Sequence, residues 1–149
     1  MYGIFDIALD SDIPLPELPE VETGNAVISV QAGVDSSRIP EHPAWFHHWE
    51  TPEGETCISC AKLVDALLLR FPELSDFVIS RSGDTVSYFP QTGVPTETIR
   101  HLLLDQVVPR ILGQQGRFVL HASAVELRNG NAVAFVGASG WGKSTIASS

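Results

Sequence analysis

Gly137, Gly140 and Gly142 lead directly into Lys143 and Ser144, a spacing that can hold a chain of phosphates. The run Gly137-Ala138-Ser139-Gly140-Trp141-Gly142-Lys143-Ser144 satisfies G-x-x-x-x-G-K-[ST] at every fixed position, and Thr145 follows it. Chance alone would produce such a match on the order of once in a hundred chains of this length. The glycines let the backbone curl until successive N–H groups point inward at phosphate oxygens, forming an anion nest. Lys143 adds a point charge for the β- and γ-phosphates, and the Ser144 hydroxyl is placed to take Mg²⁺. A helix opening here would aim its positive end at the same phosphates. Residues 137–145 are therefore expected to bind a nucleotide, ATP or GTP, with Mg²⁺ on Ser144. Trp141 occupies a position that contributes mainly backbone. Its ring is expected to point outward, exposed or packed between domains.

Such a loop needs a strand in front of it and a helix behind. Residues 132–136 read as a buried-type strand running into Gly137, and Thr145-Ile146-Ala147 can open the helix. A second β-prone run, 118–127, precedes Arg128-Asn129-Gly130-Asn131. Asn-Gly between two such runs predicts a hairpin with a type I′ turn, which needs positive φ at both central residues. Further upstream, Ile99, Leu102, Leu103, Val107, Ile111 and Leu112 recur at helical spacing and define one face. Thr96 or Thr98 can cap that helix, Gly113 or Gly116 can end it, and Pro109 predicts a kink or boundary inside it.

Residues 1–95 read as short strands separated by turns. Residues 2–9 alternate weakly, Pro14, Pro16 and Pro19 mark an extended connection, and 26–30 alternate as a half-exposed strand does. Residues 36–54 hold three prolines, two tryptophans and three histidines without periodicity, which predicts a long loop. Residues 56–71 are ambiguous between strand and short helix. Residues 77–79 and 85–89 flank Arg81-Ser82-Gly83-Asp84, a hairpin turn.

The 149 residues are 44% hydrophobic and 18% charged, which fits a globular protein. Nine Lys+Arg against 18 Asp+Glu give a net charge of -9, with no basic run to reverse it locally, so no nucleic-acid partner is expected. The acidic N-terminus lacks the pattern of a signal peptide, and no apolar run is long enough to span a bilayer. A cytoplasmic protein without a membrane span is expected. Cys57 and Cys60 form a lone C-x-x-C, for which zinc would need two more ligands from His42, His47 or His48. The plainer reading is a pair of small half-buried residues.

The run Gly116-Arg117-Phe118-Val119-Leu120-His121-Ala122-Ser123-Ala124-Val125, the short hairpin, and Ala134-Phe135-Val136-Gly137 through Thr145 resemble the HPr kinase/phosphorylase-like proteins. These are serine kinases whose P-loop core is related to phosphoenolpyruvate carboxykinase. Residues 5–18, with Ser11-Asp12-Ile13-Pro14-Leu15-Pro16-Glu17-Leu18, are also similar to the opening of members of that group. The resemblance implies ATP and Mg²⁺ as cofactors, a protein or peptide bearing an acceptor serine as partner, and assembly with copies of itself. It also implies that His121, on the strand before the P-loop, belongs to the active site, orienting an acidic catalytic residue or contacting the phosphates. Read from the residues alone, a strand histidine is more often a hydrogen-bonded structural residue.

The expected fold class is α/β (α+β overall), an N-terminal β-rich domain over 1–95 followed by the start of a P-loop kinase core over 96–149. The acidic residues that such kinases carry after the P-loop are missing, so the chain reads as an N-terminal piece of a longer kinase. Two other functions fit parts of the pattern. One is an ABC-type ATPase, whose P-loop also follows a hairpin and in which Phe118 would stack adenine. The other is a non-catalytic module that binds a peptide or partner through residues 1–95.

Overall fold

The computed structural model describes residues 1–137 and 142–147. They divide into two compact units, residues 1–115 and 116–149. The helical segment predicted to open the second domain lies in the first unit, because its apolar face belongs to that unit's core.

Unit 1 is one eight-stranded sheet with a single broken helix. The strands are β1 (Tyr2–Ile4), β2 (Ile7–Ser11), β3 (Ala26–Ala32), β4 (Trp45–Glu50), β5 (Thr56–Lys62), β6 (Ala66–Phe71), β7 (Ser75–Ser80) and β8 (Thr85–Pro90). They lie in the order β1-β2-β3-β8-β7-β6-β5-β4. Strands β4 to β8 form an antiparallel meander, β1 pairs antiparallel with β2, and β3 runs parallel to both β2 and β8. The ambiguous stretch 56–71 is therefore two strands, β5 and β6. Its Leu67, Leu68 and Leu69 sit in a ladder with Ile79, Val78 and Phe77 of β7, and cross-strand packing of this kind overrides the helix propensity of leucine.

The predicted loop over 36–54 contains a strand. Only Ser36–Arg38 forms a short 3₁₀ turn, and Trp45–Glu50 forms the outer strand β4. Its aromatics are β-prone but show no alternation, because an edge strand with register breaks has no single buried face. Cations cover the rings instead: Lys62 lies 5.6 Å from the Phe46 ring centroid, Arg70 5.2 Å from Trp45 and Arg110 4.7 Å from Trp49.

The helix consists of α1 (Thr96–Leu102), a π turn (Leu103–Val107) and α2 (Val108–Gln114). Pro109 has no N–H to donate into the preceding turn, and the widened turn just ahead of it absorbs that missing bond. Ile99, Leu102, Leu103, Val107, Val108, Ile111 and Leu112 are all buried, in one cluster with Leu9, Ile28, Val30, Leu69, Phe77 and Val86 from the sheet. Neither threonine caps the start. Pro95 holds that position without a side-chain bond, and Thr98 N–H bonds the Pro95 carbonyl at 3.0 Å. Gly116, at φ +78, follows the last turn.

Unit 2 contains β9 (Ala122–Glu126), β10 (Ala132–Val136) and α3 (Lys143–Ala147). The hairpin is present, but its turn is not type I′. Gly130 alone takes positive φ, +80, and Asn129 does not. Gly130 N–H bonds the Leu127 carbonyl at 2.9 Å, Leu127 N–H bonds the Asn131 carbonyl at 2.7 Å, and the Asn129 side chain accepts from Asn131 N–H at 3.1 Å. The loop is thus three residues ending on a left-handed glycine, the next commonest hairpin solution. Strand β10 is not buried as predicted: Val133 is 41% and Val136 64% exposed. Among the described residues β10 pairs with β9 alone, so no parallel neighbours cover it. Secondary structure is accordingly mixed but dominated by the large sheet, and the described residues of unit 2 do not build a P-loop kinase core.

Candidate functional site

The phosphate-binding motif lies in unit 2, where β10 delivers Gly137 and α3 begins at Lys143. Ala138, Ser139, Gly140 and Trp141, assigned to the nucleotide loop from sequence, lie outside the described residues. Gly142 has φ +74, a conformation that only glycine takes without strain, and a Cβ built there would meet nothing within 4 Å among the described residues. Ile146 N–H bonds the Gly142 carbonyl at 3.0 Å and closes the first turn of α3.

Lys143 Nζ donates to the Gly137 carbonyl at 2.9 Å. This bond ties the first glycine of the motif to its lysine. Ser144 stands beside it, with its Oγ 3.2 Å from the Oγ of Ser123.

A cleft of about 450 Å³ is lined by His121, Ala122, Ser123, Gly142, Lys143, Ser144 and Thr145. His121, Lys143, Ser144 and Thr145 thus line one cleft. Residues 121 and 123 share a face because side chains of an extended segment alternate. Ser123 is half-buried and pairs across the hairpin with Phe135 of β10. Sequence reasoning missed it. The signal was the i, i+2 spacing from His121 on a strand that must lie beside the loop.

The described lining offers one ammonium, three hydroxyls and an imidazole, and no carboxylate, a donor set whose chemistry suits phosphate oxygens. Mg²⁺ itself would be held by the Ser144 hydroxyl and by phosphate oxygens.

The other histidines and the cysteines lie elsewhere. His48 Nδ1 is 2.9 Å from the Ser59 hydroxyl, the His47 ring meets Trp49 edge-on, and His101 pairs with Asp105 at 3.1 Å. Cys57 is exposed at a register break of β5, its thiol donating to the Trp49 carbonyl, and Cys60 is buried in the core. Burial pushes the Cys60 thiol up, against the nearby charge of Arg110. No cluster of three or more His, Cys, Asp or Glu among the described residues is arranged to hold a metal ion. Nor is any helix among them long and apolar enough to cross a membrane.

Comparison with protein-family models, with curated proteins and with solved structures returns no match.

Proposed function

We propose that unit 2 binds the phosphates of ATP together with Mg²⁺, in an ATP-dependent serine kinase of the HPr-kinase-like kind whose acceptor is a protein or peptide serine. The observation that carries this reading is the cleft in which Lys143 and Ser144 of a complete G-x-x-x-x-G-K-S motif stand with His121 and Ser123. Lys143 would exchange its bond to the Gly137 carbonyl for phosphate oxygens, and Ser144 would place its hydroxyl on the metal. His121 lines the same cleft and would contact phosphate or orient an acidic group. Mg²⁺, when bound, would supply positive charge that offsets the charge developing during transfer. Transfer also needs a base to take the acceptor proton, and the described lining of the cleft contains no carboxylate. The role assigned to this chain's own residues is therefore phosphate binding.

Titration with a fluorescent ATP analogue in the presence of Mg²⁺ tests it. The intact chain is expected to bind, and Lys143→Ala to weaken binding about tenfold or more, since a charge-assisted contact contributes about 1.5–3 kcal/mol. Equal binding by both proteins, or none by either, refutes the reading.

A further inference from the structure

Ser144 is a motif residue, but nothing in the motif specifies what receives its hydrogen. A serine hydroxyl carries one hydrogen and two lone pairs. When Ser144 Oγ gives a lone pair to a cation, its hydrogen must point away from the metal and find an acceptor. Without the cation, the same hydroxyl can serve its neighbour either as donor or as acceptor. The Oγ of Ser123 stands 3.2 Å from that of Ser144 and on the same cleft. It comes from β9, whereas Ser144 comes from α3, so the pair joins two elements that sequence separates by the whole hairpin. The strand ladder fixes its position. Ser123 is opposite Phe135, in a register maintained from Ala122↔Val136 to Glu126↔Ala132.

We propose that Ser123 is a positioning residue for Mg²⁺, accepting the hydrogen of Ser144 so that the Ser144 lone pair faces the cation. This rests on the phosphate-binding reading above. It goes further by naming a residue outside the motif whose effect appears only when the metal is present. In the metal-free protein either hydroxyl can donate, so removing Ser123 changes little. With Mg²⁺ bound, Ser144 is an obligate donor, and removing its acceptor leaves that hydrogen without its strand partner.

The experiment measures affinity for a fluorescent ATP analogue with Mg²⁺ and with a chelator. It uses the intact chain, Ser123→Ala, Ser123→Thr and Lys143→Ala, with a thermal melt of each. The expected result is that Ser123→Ala lowers the Mg²⁺-dependent gain in affinity about threefold to tenfold, as loss of one hydrogen bond does. The gain is the ratio of affinities with Mg²⁺ and in chelator, so any direct contact of Ser123 with phosphate, equal in both, cancels. Melting should be unchanged, while Ser123→Thr, which keeps the acceptor, restores the gain. If Ser123→Ala leaves the Mg²⁺-dependent gain intact while Lys143→Ala weakens binding, the positioning role is overturned and the phosphate site stands. Equal losses with and without metal, or a loss that threonine does not restore, also overturn it, since they mark a merely structural serine. If Lys143→Ala binds as well as the intact chain, or neither binds, the phosphate-binding reading itself falls, and the proposal with it.

Discussion

Asp76→Ala should be among the most destabilising single changes available in unit 1 outside its apolar core. Arg70 and Asp76 face each other across β6 and β7. The guanidinium grips the carboxylate in parallel, Nε to Oδ1 at 2.9 Å and Nη2 to Oδ2 at 2.8 Å. It also donates to the Glu41 carbonyl at 3.2 Å and lies over the Trp45 ring, so one side chain ties the meander to the segment leading into β4. The hydrogen bond to Asp76 holds the Arg70 pKa above its ordinary value, although burial pulls the other way. A charge-assisted bond contributes about 1.5–3 kcal/mol, so a pair has a gross worth of roughly 3–6 kcal/mol. Arg70 is 28% exposed and Asp76 11%, so water can recover part of the loss at the arginine. The expected cost is therefore about 2–4 kcal/mol, a fall of roughly 10 °C in the melting temperature of a unit this size. Urea unfolding of the intact chain, Asp76→Ala, Arg70→Met and the double variant gives the coupling directly. A coupling of about 1–3 kcal/mol is expected. A value under about 0.5 kcal/mol, with Asp76→Ala as stable as the parent, would show that the pair is held by the sheet and contributes nothing to it.

Two further measurements address other sites. Burial, aided by the 2.9 Å bond to Asp12, pushes the Tyr88 phenol up from 10.0 to about 12. The folded value exceeds the unfolded one, so this stabilisation is complete below pH 10 and is lost as pH rises through about 12. Asp12→Ala should lower the phenolate absorbance midpoint assigned by comparison with Tyr88→Phe, though not fully to 10.0, because burial is the larger cause. An unmoved midpoint contradicts the contact. Exposed Cys57 should react with an aromatic disulfide reagent in the native protein, whereas buried Cys60, its thiol pushed up by burial, should react only in denaturant. Two fast thiols would count against the placement of β5.

What could be read from the sequence followed where one physical signal dominated. The helix was legible because Ile99, Leu102, Leu103, Val107 and Ile111 face a single core, and Pro109 announced its break. Gly142 was legible as a position that needs glycine, and it does take positive φ, whereas residues 138–141 of the same motif lie outside the described residues. Strand β4 was hidden because its pairing partner supplies the reason for it to be a strand, while its own aromatics lean on cations from elsewhere. The Asn129-Gly130 turn was legible as a turn but not as a type, since one left-handed glycine satisfies several loop lengths. Ser123 was hidden because its significance depends on a residue 21 positions away that only the tertiary arrangement brings near.

The parallel seam at the middle of the sheet has a consequence for the chain's assembly. Neighbouring strands of the meander are joined by short turns, whereas Ser29 of β3 must meet Thr85 of β8. Closing a loop of about 56 residues costs roughly 2 kcal/mol more in chain entropy than closing one of about four. That excess shrinks once β4 to β8 are in place, because the folded meander shortens the free path between the two ends. The N-terminal ribbon β1-β2-β3 thus gains its place in the sheet from strands that lie far behind it in the chain, and its docking depends on their order of formation.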